Sequence, residues 1–167
     1  SEQIQDLDNT QVTVTKEVVD QLLGTGSSLS GIKENDVLTV MQLLNCMMVP
    51  SGNDAALVLA DYIGNGDSNA FVELMNAKLE ELGLSDTAHF TNCVGLYDEA
   101  HSCTVTDMAL ILKAAMETDL CREVLSTHIY HTQPTAQHPE GQDLSNWFLR
   151  KIEDHVPEGL GVVGGQT

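Results

Sequence analysis

The chain has 167 residues, enough for one domain with its own core. Its 25 acidic side chains outnumber 7 basic ones, for a net charge of −18, and such a surface argues against nucleic acid as a partner. No apolar run reaches the length of about 18 residues that spans a membrane, and no basic-then-apolar leader opens the chain.

Residues 10–15, TQVTVT, alternate polar and β-branched side chains and predict a short strand. KEVVDQLL from Lys16 predicts a short helix ended by Gly24, and the Gly- and Ser-rich GTGSSLSG that follows predicts a loop. Thr39 and Gln42 have capping-box spacing ahead of LLNCMMV, so a buried helix is expected there, closed by Pro50, with Met47 and Met48 in the core. DAALVLADYI predicts a helix to Gly64. Residues 68–82 place Phe71, Leu74, Met75, Leu79 and Leu82 on one helical face, with Gly83 as the stop.

Thr104 opens a further predicted helix, with Met108, Ile111, Leu112 and Ala115 inward, and Asp119 is expected to cap a short helix through Leu125. Beyond it THIYH, LSNWFL and GLGVV look strand-like, with Trp147 in the core and QPTAQHPEGQ as a loop. Helices dominate the first two thirds and strands the ends, which is an α+β pattern with unfinished β edges. No internal repeat or low-complexity segment is present. The acidic residues are spread along the chain and so belong to a solvated surface and not to a tail.

Cys46, Cys93, Cys103 and Cys121 contain no C-x-x-C pair, which weakens zinc and redox readings. They are expected as buried or spare thiols, with disulfides left open. His128, His131 and His138 lack a tight metal-ligand spacing on a helix, so no metal and no cofactor is expected.

Ser51-Gly52-Asn53-Asp54 admits two compatible readings. Serine before a helix accepts an amide hydrogen bond, and a carboxylate in the first turn suits the helix dipole. The same triplet, S-x-N, is also a site motif. In SGNDAA and in FTNCVGLYDEAHSCTVTDMALILKAAM, residues 90–116, the chain resembles the penicillin-binding D-alanyl-D-alanine carboxypeptidases, low-molecular-weight serine peptidases that trim peptidoglycan stems. The matching residues of the second stretch are Asn92, Gly95, Leu96, Asp98, His101, Thr104, Asp107, Met108 and Ala109. GTGSSLSGIKENDVLTVMQLL is similar to the segment that precedes the triplet in that family, and the likeness runs from about Val12 to Thr167.

The resemblance implies the helical subdomain of a penicillin-binding protein/serine β-lactamase-like fold, here residues 1–167 as a partial domain truncated at both ends. It implies acyl transfer: a serine in S-x-x-K attacks the peptide bond between two D-alanines, helped by the lysine, and water releases the acyl-enzyme. Ser51 is then the proton relay and Asn53 the amide that holds the substrate backbone. Thr167 would stand at the threonine of the K-T-G strand and Gln166 at its lysine, lining the substrate carboxylate without a charge. An alignment shifted to Val163-Gly164-Gly165 lacks a lysine as well.

His101 is either a donor at the edge of the site or an anchor for the loop before Thr104, the second being favoured. The implied partners are a peptidoglycan stem peptide and, for the intact parent, β-lactam antibiotics. The implied location is extracytoplasmic.

Two tetrads formally fit the nucleophile motif, Thr13 to Lys16 and Ser30 to Lys33. Neither opens a long apolar helix, so the S-x-x-K is expected ahead of Ser1. Gln166 supports a rival reading, a degenerate family member that binds peptidoglycan or a protein without catalysis. A serine β-lactamase relative would need a deacylating carboxylate, for which no motif appears. A purely structural acidic module leaves the ordered matches unexplained.

Overall fold

The computed structural model describes residues 4–164. Gln166 and Thr167 lie outside the described residues. Strand β1 (Gln11–Thr13) pairs antiparallel with β2 (Val37–Thr39) in the register Val12↔Leu38. The alternation of TQVTVT puts Val12 and Val14 inside and Gln11 and Thr13 outside. Helix α1 (Lys16–Asp20) is shorter than expected and is followed by a turn to Gly24, whose φ is 75°.

Helix α2 (Val40–Met48) starts on the expected capping box. Thr39 Oγ1 accepts from Gln42 N at 3.2 Å, and Gln42 Oε1 accepts from Thr39 N at 2.8 Å. Helix α3 (Asn53–Ile63) is apolar nearly all round and is buried accordingly, with Ala55 through Ala60 in the core. It packs against α1, α2 and α4 (Ser68–Glu81). Val14, Leu38, Leu43, Cys46, Val49 and Val58 form the centre of the core. Met47 and Met48 are only half-buried, at its margin.

Several expectations are corrected. On α4 the buried residues are Val72 and Leu79, while Leu74 is 42% exposed. The apolar face is rotated from the expected one because Val72, not Leu74, meets the core. Helix α5 (Val105–Met116) buries only Asp107. Met108 and Leu112 were expected inward but are 45% and 43% exposed. Ile111 and Ala115 are half-buried. Periodicity marks which side of a helix is apolar, but burial needs a neighbour, and α5 packs mainly on α6 (Asp119–Leu125). The N-cap of α6 is Thr118, and Asp119 is its first residue, paired with Arg122.

The LSNWFL strand is cut short by a helix. Strand β3 (Ile129–His131) pairs antiparallel with β4 (Asp143–Ser145), and α7 (Trp147–Ile152) begins directly after. Asn146 Oδ1 accepts from Leu149 N at 3.0 Å, a cap that overrides the β-preference of the aromatics. Leu149 is the buried residue of α7. Trp147 is not core but 69% exposed, with Lys151 Nζ 5.5 Å from its ring centre. GLGVV forms no strand within the described residues. Gly164 N instead bonds Leu125 O at 3.0 Å.

The loop between β3 and β4 is tied to the N-terminal half. Asp36, fully buried, accepts from Lys33 N at 2.9 Å, Gln137 N at 3.3 Å and His138 Nδ1 at 3.1 Å. The cysteines are free, and none is bridged. Burial, and then the nearby charge of Asp54, pushes the Cys46 thiol up to about 12, so it stays protonated and behaves as a small apolar residue.

Candidate active site

The S-G-N turn is built by the end of α2 and the start of α3. Ser51 takes the left-handed conformation at φ 65°, which turns the chain between the two helices. Gly52, not Ser51, is the N-cap of α3, and no side chain caps it. Gly52 N donates to Cys46 O at 3.2 Å and Met47 O at 3.0 Å, so the turn is pinned to the last turn of α2. The expected serine cap is therefore corrected. Ser51 is 8% exposed, and its hydroxyl has no hydrogen-bond partner among the described residues.

Asn53 donates twice to one acceptor. Its backbone N–H reaches Ser28 O at 3.0 Å, and its Nδ2 reaches the same oxygen at 3.2 Å. A carbonyl can only accept, which fixes the amide orientation. One Nδ2 hydrogen and Oδ1 are left for a ligand.

Asp54 is 2% exposed. Its Oδ1 accepts from Ser30 N at 2.8 Å, Ser30 Oγ at 2.9 Å and Ala55 N at 3.0 Å, and its Oδ2 accepts from Gly31 N at 2.9 Å. Composition and spacing point to Asp54 only as a first-turn acid. The ligands it grips lie 24 and 23 residues upstream.

The second stretch folds into turns and a cap. Asn92 Oδ1 accepts from Val94 N at 3.2 Å and Leu96 N at 3.1 Å, and its Nδ2 donates to Leu96 O at 2.8 Å. Gly95 supplies the φ of 71° that this tight turn requires. His101 is half-buried; its Nδ1 accepts from Thr91 N at 3.1 Å, and its ring lies 5.2 Å from that of Phe90. With Nδ1 an acceptor, the neutral ring carries its proton on Nε2. These contacts are those of an anchor for the loop.

Asp107 closes a capping box: its Oδ2 accepts from Thr104 N at 2.7 Å, and Thr104 Oγ1 accepts from Asp107 N at 3.1 Å. Thr87 Oγ1 adds a bond to its Oδ1 at 2.9 Å. These bonds, the Thr104 backbone amide first, hold the Asp107 carboxyl below its ordinary value. A carboxyl with a lowered value in the folded state adds stability above the unfolded value, about 3.9, and loses it as pH falls through the folded one. Urea unfolding from pH 7 to pH 3 should therefore show Asp107→Asn less stable than the parent at pH 7. The gap should narrow below about pH 4. A constant gap would count against the capping bonds as its source.

Neither formal nucleophile tetrad is arranged for attack. Ser30 is buried in a loop, with its hydroxyl donated to Asp54, and Lys33 is exposed. Thr13 lies on β1, and Lys16 is paired with Asp20. A cavity of about 220 Å³ between the turn after α1, α3, α4 and the 91–96 turn is lined by Leu22, Leu57, Val72 and Cys93 among others, but not by Ser51, Asn53 or His101. His128 pairs with Glu153 and His131 with Asp143, each at 2.7 Å.

Solved structures share this fold. The Streptomyces K15 DD-transpeptidase superposes with a TM-score of 0.83 at 29% identity, covering 98% of this chain and 64% of that one. Penicillin binding protein 6B from Escherichia coli gives 0.71 at 31% identity, covering 84% and 42%. The architecture is thus the helix-rich portion of a penicillin-binding-protein fold, of α+β class. The chain belongs to the D-alanyl-D-alanine carboxypeptidase family, whose profile matches residues 2–153.

Among curated relatives, D-alanyl-D-alanine carboxypeptidase DacD of Escherichia coli strain K12 is 37% identical over 122 residues, 73% of this chain and 27% of that protein. The D-alanyl-D-alanine carboxypeptidase of Streptomyces sp. strain K15 is 31% identical over 142 residues, 82% of this chain and 48% of that protein. The chain thus spans about a quarter to a half of the length of these relatives.

Proposed function

We propose that the chain is part of a serine-type D-Ala-D-Ala carboxypeptidase. It would act on peptidoglycan stem peptides through an acyl-enzyme, outside the cytoplasmic membrane. The observation that carries this reading is the S-G-N turn, which presents an unbonded serine hydroxyl and a half-committed asparagine amide from a rigid helix start. Ser51 relays the proton toward the leaving amine, and the uncommitted N–H of Asn53 binds a backbone carbonyl of the peptide. By the family resemblance Gln166 and Thr167 correspond to the motif that receives the terminal carboxylate, and His101 supports the site from its edge.

The nucleophile belongs to a segment of the whole protein outside these residues, because Ser30 is committed to Asp54 and Thr13 is on a strand. β-Lactams would acylate that same serine. A second reading, a non-catalytic binding protein, rests on the uncharged Gln166 where the family motif has lysine.

Intact mass after incubation with a labelled penicillin tests both. One adduct on the full-length protein and none on the 167-residue chain is the expected result. An adduct on the chain itself would relocate the nucleophile into it, and no adduct on the full-length protein would favour the non-catalytic reading.

A further inference from the structure

The S-G-N turn is held against a second segment, residues 28–31. Ser28 O takes both donors of Asn53, and Asp54 takes the backbone N–H groups of Ser30 and Gly31 together with the Ser30 hydroxyl. Residues 28–31 and 53–54 are thereby laced by five hydrogen bonds across adjacent backbone positions. Gly52 sits between them so closely that an added Cβ would lie 2.7 Å from Ser30 Cβ and 2.9 Å from Asp54 Oδ1. The far side of the segment is tied as well, by Gln142 Nε2 donating to Ser30 O at 3.2 Å.

A carboxylate buried to this degree is tolerated because hydrogen bonds meet its charge. Here most of those bonds come from the loop. If Asp54 served the helix alone, its bond to Ala55 N would suffice. It also bonds Ser30 and Gly31, in the segment that carries the Ser28 carbonyl, the acceptor of both Asn53 donors.

We infer that Asp54 is a positioning residue for the S-G-N turn: through Ser30 and Gly31 it sets the Ser28 carbonyl, which orients the Asn53 amide and fixes Ser51 beside it. This deepens the proposed function and rests on it for its catalytic consequence, but not for the clamp itself. Asp54 touches no substrate. It acts through Asn53.

Two variants separate the parts. Asp54→Asn keeps the shape but sets an NH₂ against donors, and Ser30→Ala removes the hydroxyl bond alone. Leu149→Ala is the control, a core cavity away from the turn.

Amide hydrogen exchange of the full-length protein should show the Ser30, Gly31 and Asn53 amides exchanging about ten- to a hundredfold faster in Asp54→Asn. The effect should be smaller in Ser30→Ala, and α4 amides should be unchanged. Acylation by labelled penicillin should slow about tenfold or more in Asp54→Asn at a temperature where it is fully folded, and stay near the parent rate in Leu149→Ala.

Exchange that rises evenly along the chain, as in the control, would overturn the clamp. Local loosening with a parental acylation rate would overturn the positioning role. If the unsubstituted full-length protein takes no penicillin, the proposed function fails while the exchange result still decides the clamp.

Discussion

Gly52→Ala should unfold the chain more easily by about 3 kcal/mol, a typical upper value for forcing a methyl into a closed space. For a chain of this size that lowers the melting midpoint by roughly 6–12 °C in a thermal scan followed by circular dichroism. The reason lies in what surrounds the missing Cβ. It would meet the Cys46 carbonyl oxygen within contact distance, Ser30 Cβ at 2.7 Å and Asp54 Oδ1 at 2.9 Å. None of these is the loose end of a flexible side chain: one is helix backbone, and the other two belong to the clamped segment. The turn must shift, and the shift carries Ser51 and Asn53 with it. A melting midpoint within about 2 °C of the parent would mean that the turn yields at little cost.

Asp36→Ala should cost a similar amount by another route. The carboxylate is fully buried and serves Lys33 N, Gln137 N and His138 Nδ1. Removing it strands donors from both ends of the chain, at about 1–3 kcal/mol for a lost partner and more where a charge is involved. The expected readout is local before it is global. Residues 133–141 should become the first site of cleavage in limited proteolysis, because two of the three bonds join that loop to the N-terminal half. A cleavage pattern identical to the parent's would show that other contacts hold the loop.

How much of this was legible beforehand differed with range. The capping box at Thr39 and the helix start at Thr104 are local signals, and both were read, whereas the box that Asp107 closes on Thr104 was not. The α3 helix was readable because its apolar run is long and ends on a glycine. The β2 strand was not, since three residues leading straight into a capped helix carry no alternation to count.

Aromatic content misled at Trp147 and Phe148, where an asparagine cap outweighs β-preference. On α5 the apolar pattern was real, but burial was inferred without a neighbour to supply it. At the candidate site the motif residues Ser51 and Asn53 were visible in the sequence, and the structure places them together on one turn at the start of α3. The supporting residue Asp54 was visible only as a helix-start acid, because its partners stand 24 and 23 residues away, just as those of Asp36 stand 101 and 102 away. Long-range hydrogen bonds leave no local periodicity, so sequence patterning cannot register them.

The backbone at Ser51 has one more implication. A residue with a Cβ held at φ 65° is less comfortable than glycine would be, by about 1 kcal/mol. Glycine at 51 would relax the corner between α2 and α3 but remove the hydroxyl to which the proposed function assigns the proton relay. The chain keeps an oxygen at a bend where folding alone would prefer bare backbone, so under the proposed function the most stable version of this corner and the working one are different molecules.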